Sequence, residues 1–217
     1  MLDGTPQCLI TGTGRSGTLY IQQILRSLGV SATHEDECAV YVASYYHATK
    51  FDLFDWVVHE TREPLKTIGS LTTFDVRSFA VSEKVLKPLY GVFFPKPLGE
   101  SKKLREGDYS DAEEAVILKN RKVAAIYHAY YYNKFIEEHT NPLFRFKVEE
   151  FVDHVDDILA LTGVTVTNAV RDAAFKSIPK SCHHRPARVD ITWDEVESIS
   201  PRVFPMLKEM AVRYGYE

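Results

Sequence analysis

The sequence predicts an α/β fold with a central parallel sheet flanked by helices, and three observations carry that expectation. A short apolar run, "QCLITG", breaks into a glycine cluster and leads at once into a stretch with helical apolar spacing. The same succession recurs at "DWVVHETREPLKTIGSL" and again at "LFRFKVEEFVDHVDDILALTG". Strands that alternate with helices need crossover connections, which make the sheet parallel and cover its faces.

Taken in order, residues 7–12 read as a buried strand ended by glycine. Leu19, Ile21, Ile24, Leu25 and Leu28 then fall on one helical face, with Gly29 as the stop signal. "GVSATHEDE" supplies the second strand and its exit, and Trp56–His59 the next strand, followed by a turn. Pro64 stands where a first helical turn tolerates it. Residues 88–110, rich in Pro, Gly and Lys, read as a long loop, and 111–139 as the longest helix. The unit at 143–163 closes at Gly163, and a C-terminal helix covers 201–214. With no internal repeat and no low-complexity segment, one domain over residues 1–217 is the expected organisation.

Composition narrows the function classes. Hydrophobic residues at 45% and 217 residues in all suffice for a full core without disulfide staples. A net charge of −4 gives no bulk attraction to nucleic acid or to an anionic membrane, so any anion site must be local. Cys8, Cys38 and Cys182 have no framework spacing, which points to a reducing compartment. The first residues lack the regions of a signal peptide, and no apolar run approaches the ~18 residues of a membrane span. A cytoplasmic enzyme or binding protein is expected.

The chemistry concentrates in Gly12-Thr13-Gly14-Arg15-Ser16-Gly17. A Walker A loop reads G-x-x-x-x-G-K-[ST]; its Lys reaches the β/γ-phosphates and its hydroxyl holds Mg²⁺. Gly12 and Gly17 keep that spacing, but Thr18 and Leu19 occupy the Lys and hydroxyl positions, and the cation is Arg15 instead. Backbone N–H groups and the helix dipole still favour an anion there. Such a loop is expected to bind a phosphate without a metal for γ-phosphoryl transfer.

A second motif lies at "TREPLKTIGS", where Arg62 and Ser70 stand eight positions apart around Pro64. The pair "TGTGRSGTLY" and "TREPLKTIGS" resembles the sulfotransferase family, which uses 3′-phosphoadenosine 5′-phosphosulfate (PAPS). Both motifs fall in the first third of the chain; a Trp-Asp-Glu segment at 193–195 echoes a weaker family pattern. The resemblance implies that Gly14, Arg15, Ser16, Gly17, Thr18 and Leu19 cradle the 5′-phosphosulfate, and that Arg62 and Ser70 take the 3′-phosphate. Glu63 replaces the Asp usual in the second motif. Arg15, where cytosolic members often carry Lys, is always charged and a poor proton donor, so its role is electrostatic.

Sulfuryl transfer to a hydroxyl, or less readily to an amine, then needs a base. "ATHEDE" offers Glu35, His34 and Asp36 in that order of preference, at the exit of the second strand. The family uses Glu or His there, and Glu35 lies twenty residues past Arg15. No metal site is expected: "SCHHRPAR" at 181–188 lacks paired ligand spacing and reads instead as a basic loop whose Arg185 or Arg188 closes on the nucleotide. "YHAYYYNK" at 127–134 reads as a packing face, with one Tyr free to line an acceptor pocket. The acceptor class is open among carbohydrate, lipid, small molecule and protein tyrosine. A divergent nucleotide kinase and a non-catalytic nucleotide-binding module are the alternatives.

Overall fold

The computed structural model describes residues 8–34, 40–43, 54–73, 111–178 and 189–216. They form two compact units: described residues up to 43, 54–62 and 140–178 in the first, and 63–73, 111–139 and 189–216 in the second. The strands are β1 (Cys8–Thr11), β2 (Ala32–His34), β3 (Val40–Ala43), β4 (Trp56–Thr61) and β5 (Phe144–Lys147). The helices are α1 (Thr18–Ser27), α2 (Pro64–Thr72), α3 (Asp111–Lys119), α4 (Arg121–His139), α5 (Phe151–Thr162), α6 (Asn168–Ser177), α7 (Trp193–Ile199) and α8 (Phe204–Arg213).

The first unit carries a five-stranded sheet in the order β2-β3-β1-β4-β5, with every pairing parallel as expected. Side chains alternate across a strand, so Cys8, Ile10, Val40, Val42, Val58 and Phe146 share one face. They bury against Tyr20, Ile21, Ile24 and Leu25 of α1 and Phe151, Val155 and Ile158 of α5. Each fully buried apolar side chain of this kind contributes ~1.5–3 kcal/mol. Cys8 is buried in that core, and desolvation pushes its thiol up to about 12, which leaves it unreactive.

The second unit, as described, is helical. Ile68 and Leu71 of α2 pack with Val123, Ala124, Ile126 and Tyr127 of α4 and with Val196, Val203 and Leu207 from the C-terminal part. Gly69 admits close approach of the chain at Val189, whose carbonyl oxygen a Cβ would strike.

Several elements differ from the sequence expectation. Residues 111–139 are two helices, because the Asn120 side chain accepts from Lys122 N (3.0 Å) and caps a new start. β4 runs two residues past His59, to Thr61. β3 and α6 were not anticipated; β3 is only four residues long, and α6 opens on Thr167, whose hydroxyl accepts from Val170 N. The C-terminal helix begins at Phe204, after turn residues 201–203. Gly29 and Gly163 follow α1 and α5 with positive φ, as their stop signals implied. The loop expected at 88–110 lies outside the described residues.

Candidate anion-binding site

β3 and β4 pair with β1 on opposite sides, so the chain leaves β1 at the point where the winding of the sheet reverses. Open α/β sheets bind ligands at such a switch point, beyond the carboxyl ends of the strands. The segment Gly12–Gly17 occupies that position and leads into α1.

The loop is tight. Ser16 N donates to Thr13 O (3.0 Å), and Gly17 O accepts from Tyr20 N (2.9 Å) and Ile21 N (3.2 Å). Gly17 has φ 124, and a Cβ there would stand 2.6 Å from Val148 Cγ2. A Cβ on Gly12 would stand 2.5 Å from the Glu60 carbonyl oxygen, so glycine lets the loop lie directly on β4. Arg15 has φ 69, the one positive φ at a described non-glycine residue. That conformation costs ~1–2 kcal/mol, and backbone strain of this kind gathers at functional sites.

No side chain caps α1. The Gly17 cap has no side chain to accept from the first-turn N–H groups, Tyr20 N turns back onto Gly17 O, and none of the first-turn residues is acidic. The hydroxyls of Thr13 and Ser16 are buried and have no hydrogen-bond partner among the described residues. Uncapped N–H groups, unpaired hydroxyls and a half-buried arginine fit an oxyanion.

Arg62 follows β4, and its Nη1 donates to the carbonyl oxygen of Arg15 at 2.8 Å. The first residue of the second motif is thus tied to the centre of the first. Ser70 is half-buried on α2 in the second unit. Glu63, the departure from the family pattern, caps α2: its carboxylate accepts from Leu65 N and Lys66 N, both at 2.9 Å. A longer acid does there what the usual Asp would do.

Of the candidate bases, His34 reaches the loop. Its Nε2 lies 3.0 Å from Thr18 Oγ1, at the first residue of α1. β3 intervenes between β2 and β1 in the sheet, so this contact runs to the helix rather than across adjacent strands. Gln22 Nε2, donating to Ala32 O (3.2 Å), pins β2 to the same helix. Glu35 and Asp36 lie outside the described residues, as do Arg185, Arg188 and the rest of 181–188. Among the described residues, no group of three His, Cys, Asp or Glu side chains is placed to hold a metal ion.

The tyrosine run does pack: Tyr127 and Tyr132 are buried, and the Tyr130 and Tyr131 rings meet at 4.9 Å. Trp193 opens α7, with Lys208 Nζ 4.4 Å above its ring. Glu195 pairs with Lys122 of α4, so this segment is held by contacts within the second unit.

Sequence reasoning missed Glu60. It sits in β4 with 0% exposure, in register with Phe146 of β5, and neither carboxylate oxygen has a hydrogen-bond partner among the described residues. Desolvation dominates and pushes its pKa up to about 8. The nearby Ser16 hydroxyl and the Arg62 charge pull it back, while Glu149 pushes it further up. An acid within "WVVHET", a strand buried on both faces, was the available signal, since such strands are apolar throughout.

No protein-family model matches the chain, and no curated protein matches it. Among solved structures it is similar to mouse sulfotransferase SULT7A1 complexed with PAP, at 12% identity and a TM-score of 0.41, over 96% of this chain and 83% of that one. The overlay is loose, and the functional reading rests on the loop residues. No helix among the described residues is long and apolar enough to cross a membrane.

Proposed function

We propose that this protein is a PAPS-dependent sulfotransferase that moves a sulfuryl group to an acceptor hydroxyl. The observation that carries the reading is the uncapped start of α1, which replaces the Walker lysine and hydroxyl with an arginine held at positive φ. PAPS supplies the sulfuryl group and the 3′-phosphoadenosine 5′-phosphate leaving group.

The loop N–H groups with the Thr13 and Ser16 hydroxyls hold the 5′-phosphosulfate, and Arg15 stabilises charge that develops on the bridging oxygen. Arg62 and Ser70 receive the 3′-phosphate, in keeping with the spacing of the second motif. Glu35 or His34 takes the acceptor proton as the acceptor oxygen bonds to sulfur and the bond from sulfur to the bridging oxygen breaks. Positioning and charge stabilisation do most of the work in such a transfer. The sulfuryl group carries less charge than a phosphoryl group, so the reaction proceeds without Mg²⁺. The acceptor is a carbohydrate, lipid, small molecule or protein tyrosine, met by a protein working in the cytoplasm.

The test is thermal. 3′-Phosphoadenosine 5′-phosphate should raise Tm equally in Mg²⁺ and in EDTA, and ATP should do little. Strong stabilisation by ATP that vanishes on chelation would identify a kinase-like loop. Stabilisation by 3′-phosphoadenosine 5′-phosphate with no label transfer from PAPS to a broad acceptor panel would identify a binding module.

A further inference from the structure

Glu60 has no place in the chemistry described so far, yet the loop is built around it. The absent Cβ of Gly12 would lie 2.7 Å from Glu60 Cγ and 3.0 Å from Ser16 Oγ, so the Glu60 side chain fills the space beneath the loop that glycine leaves. Both its oxygens are sealed from solvent and, among the described residues, unpartnered, as is the Ser16 hydroxyl. An unpaired buried carboxylate is far costlier than a neutral carboxyl, which can still donate a proton to a neighbour.

We propose that Glu60 is a positioning residue for the anion loop: its neutral carboxyl supports Ser16 and the loop backbone, and anion binding is coupled to its proton. The inference rests on the reading that the loop holds an oxyanion. A charged Glu60 would set a negative charge under the site meant for a phosphosulfate, and repulsion across a low-dielectric interior is strong. Among the described residues, the charges that act on it are Arg62 after β4 and Glu149 after β5. Arg15 lies in the loop and Lys147 ends β5, while His59 of β4 and Arg145 of β5 alternate to the opposite face of the sheet. His154 of α5 is also near, with its ring 5.7 Å from that of Phe146. His34 faces the loop through Thr18.

The sign follows from the raised pKa. Glu60 is neutral below about 8 and ionises above it, so anion affinity is full at neutral pH and falls as pH rises. If only the neutral form binds, affinity for 3′-phosphoadenosine 5′-phosphate drops about tenfold between pH 7 and pH 9. Glu60→Gln, which keeps a donor and cannot ionise, should flatten that drop. Inorganic sulfate, which has no titrating proton in this range, should show the same contrast between wild type and variant.

A wild-type measurement guards against a variant that does not fold. Calorimetry at pH 9 in buffers of different ionisation enthalpy should find close to one proton taken up per nucleotide bound, and Glu60→Gln should abolish that uptake. Binding with the same pH profile in wild type and Glu60→Gln, or with no proton uptake, overturns the role of Glu60 and leaves the nucleotide reading standing. Failure of the wild type to bind either anion at any pH overturns both.

Discussion

Two strand-to-helix junctions in this chain solve the same problem in opposite ways. At the start of α2, Pro64 removes one N–H from the first turn and the Glu63 carboxylate satisfies the next two. At the start of α1 there is no capping side chain, Arg15 and Gly17 adopt positive φ, and the hydroxyls of Thr13 and Ser16 are buried without partners among the described residues. A helix start that satisfies itself has nothing left to offer an anion. One that carries strain and unpaired hydroxyls still has donors to offer a partner from outside the chain. On the proposed reading, the difference separates a junction closed on itself from one left open to a ligand, although both belong to motifs that resemble one family.

The sharpest break in that contrast is at the base, because His34 is attached to the functional junction through Thr18. If Glu35 takes the proton, Glu35→Gln lowers kcat roughly 10²–10⁴-fold while nucleotide affinity holds. His34→Ala would then act mainly through the loop, raising KM for PAPS. Steady-state kinetics on both variants decides the matter. A large kcat loss in His34→Ala alone moves the base one residue back.

Arg62 stands between the two junctions, and its bond to the Arg15 carbonyl gives it two separable roles. Losing one side of a buried, charge-assisted pair costs ~2–5 kcal/mol. If Arg62 holds the 3′-phosphate, Arg62→Ala weakens 3′-phosphoadenosine 5′-phosphate by at least ~30-fold. Adenosine 5′-phosphate, which lacks that group, should lose only what the loop contact supplies. Calorimetric titration of both nucleotides makes the comparison, and equal losses would reduce Arg62 to a brace for the loop.

What could be read from the chain divides along physical lines. The strand, glycine loop and helix at residues 8–27 were legible because backbone geometry dictates residue type there: only glycine fits at Gly12 and Gly17. The helix stops at Gly29 and Gly163 were legible for a similar reason. β3 was not, since four apolar residues are compatible with several structures. The break at Asn120 was hidden because the polar run Lys119 to Lys122 also suits an exposed turn of one long helix, and only the cap marks a new start. The bond from Arg62 to Arg15 spans 47 positions and depends on strand order, which local pattern does not specify. Glu60 was overlooked because β4 was read as ending at His59, so its acid fell in the turn instead of the sheet.

The smallest effect tests the structural junction. Glu63→Ala removes both bonds to Leu65 N and Lys66 N, and loss of such a cap costs ~1 kcal/mol. The loss should appear as a lower Tm, because the N–H groups gain water but lose fixed acceptors when the carboxylate goes. Glu63→Asp should recover most of it, since a shorter carboxylate caps the same turn. Nucleotide affinity should stay within about twofold of wild type in both variants, a change of well under 1 kcal/mol. Thermal melts and titration on the same samples provide both readings. A Tm loss matched by a large loss of affinity would mean that the start of α2 also holds the ligand. The contrast between a closed junction and an open one would then fail at its quieter end.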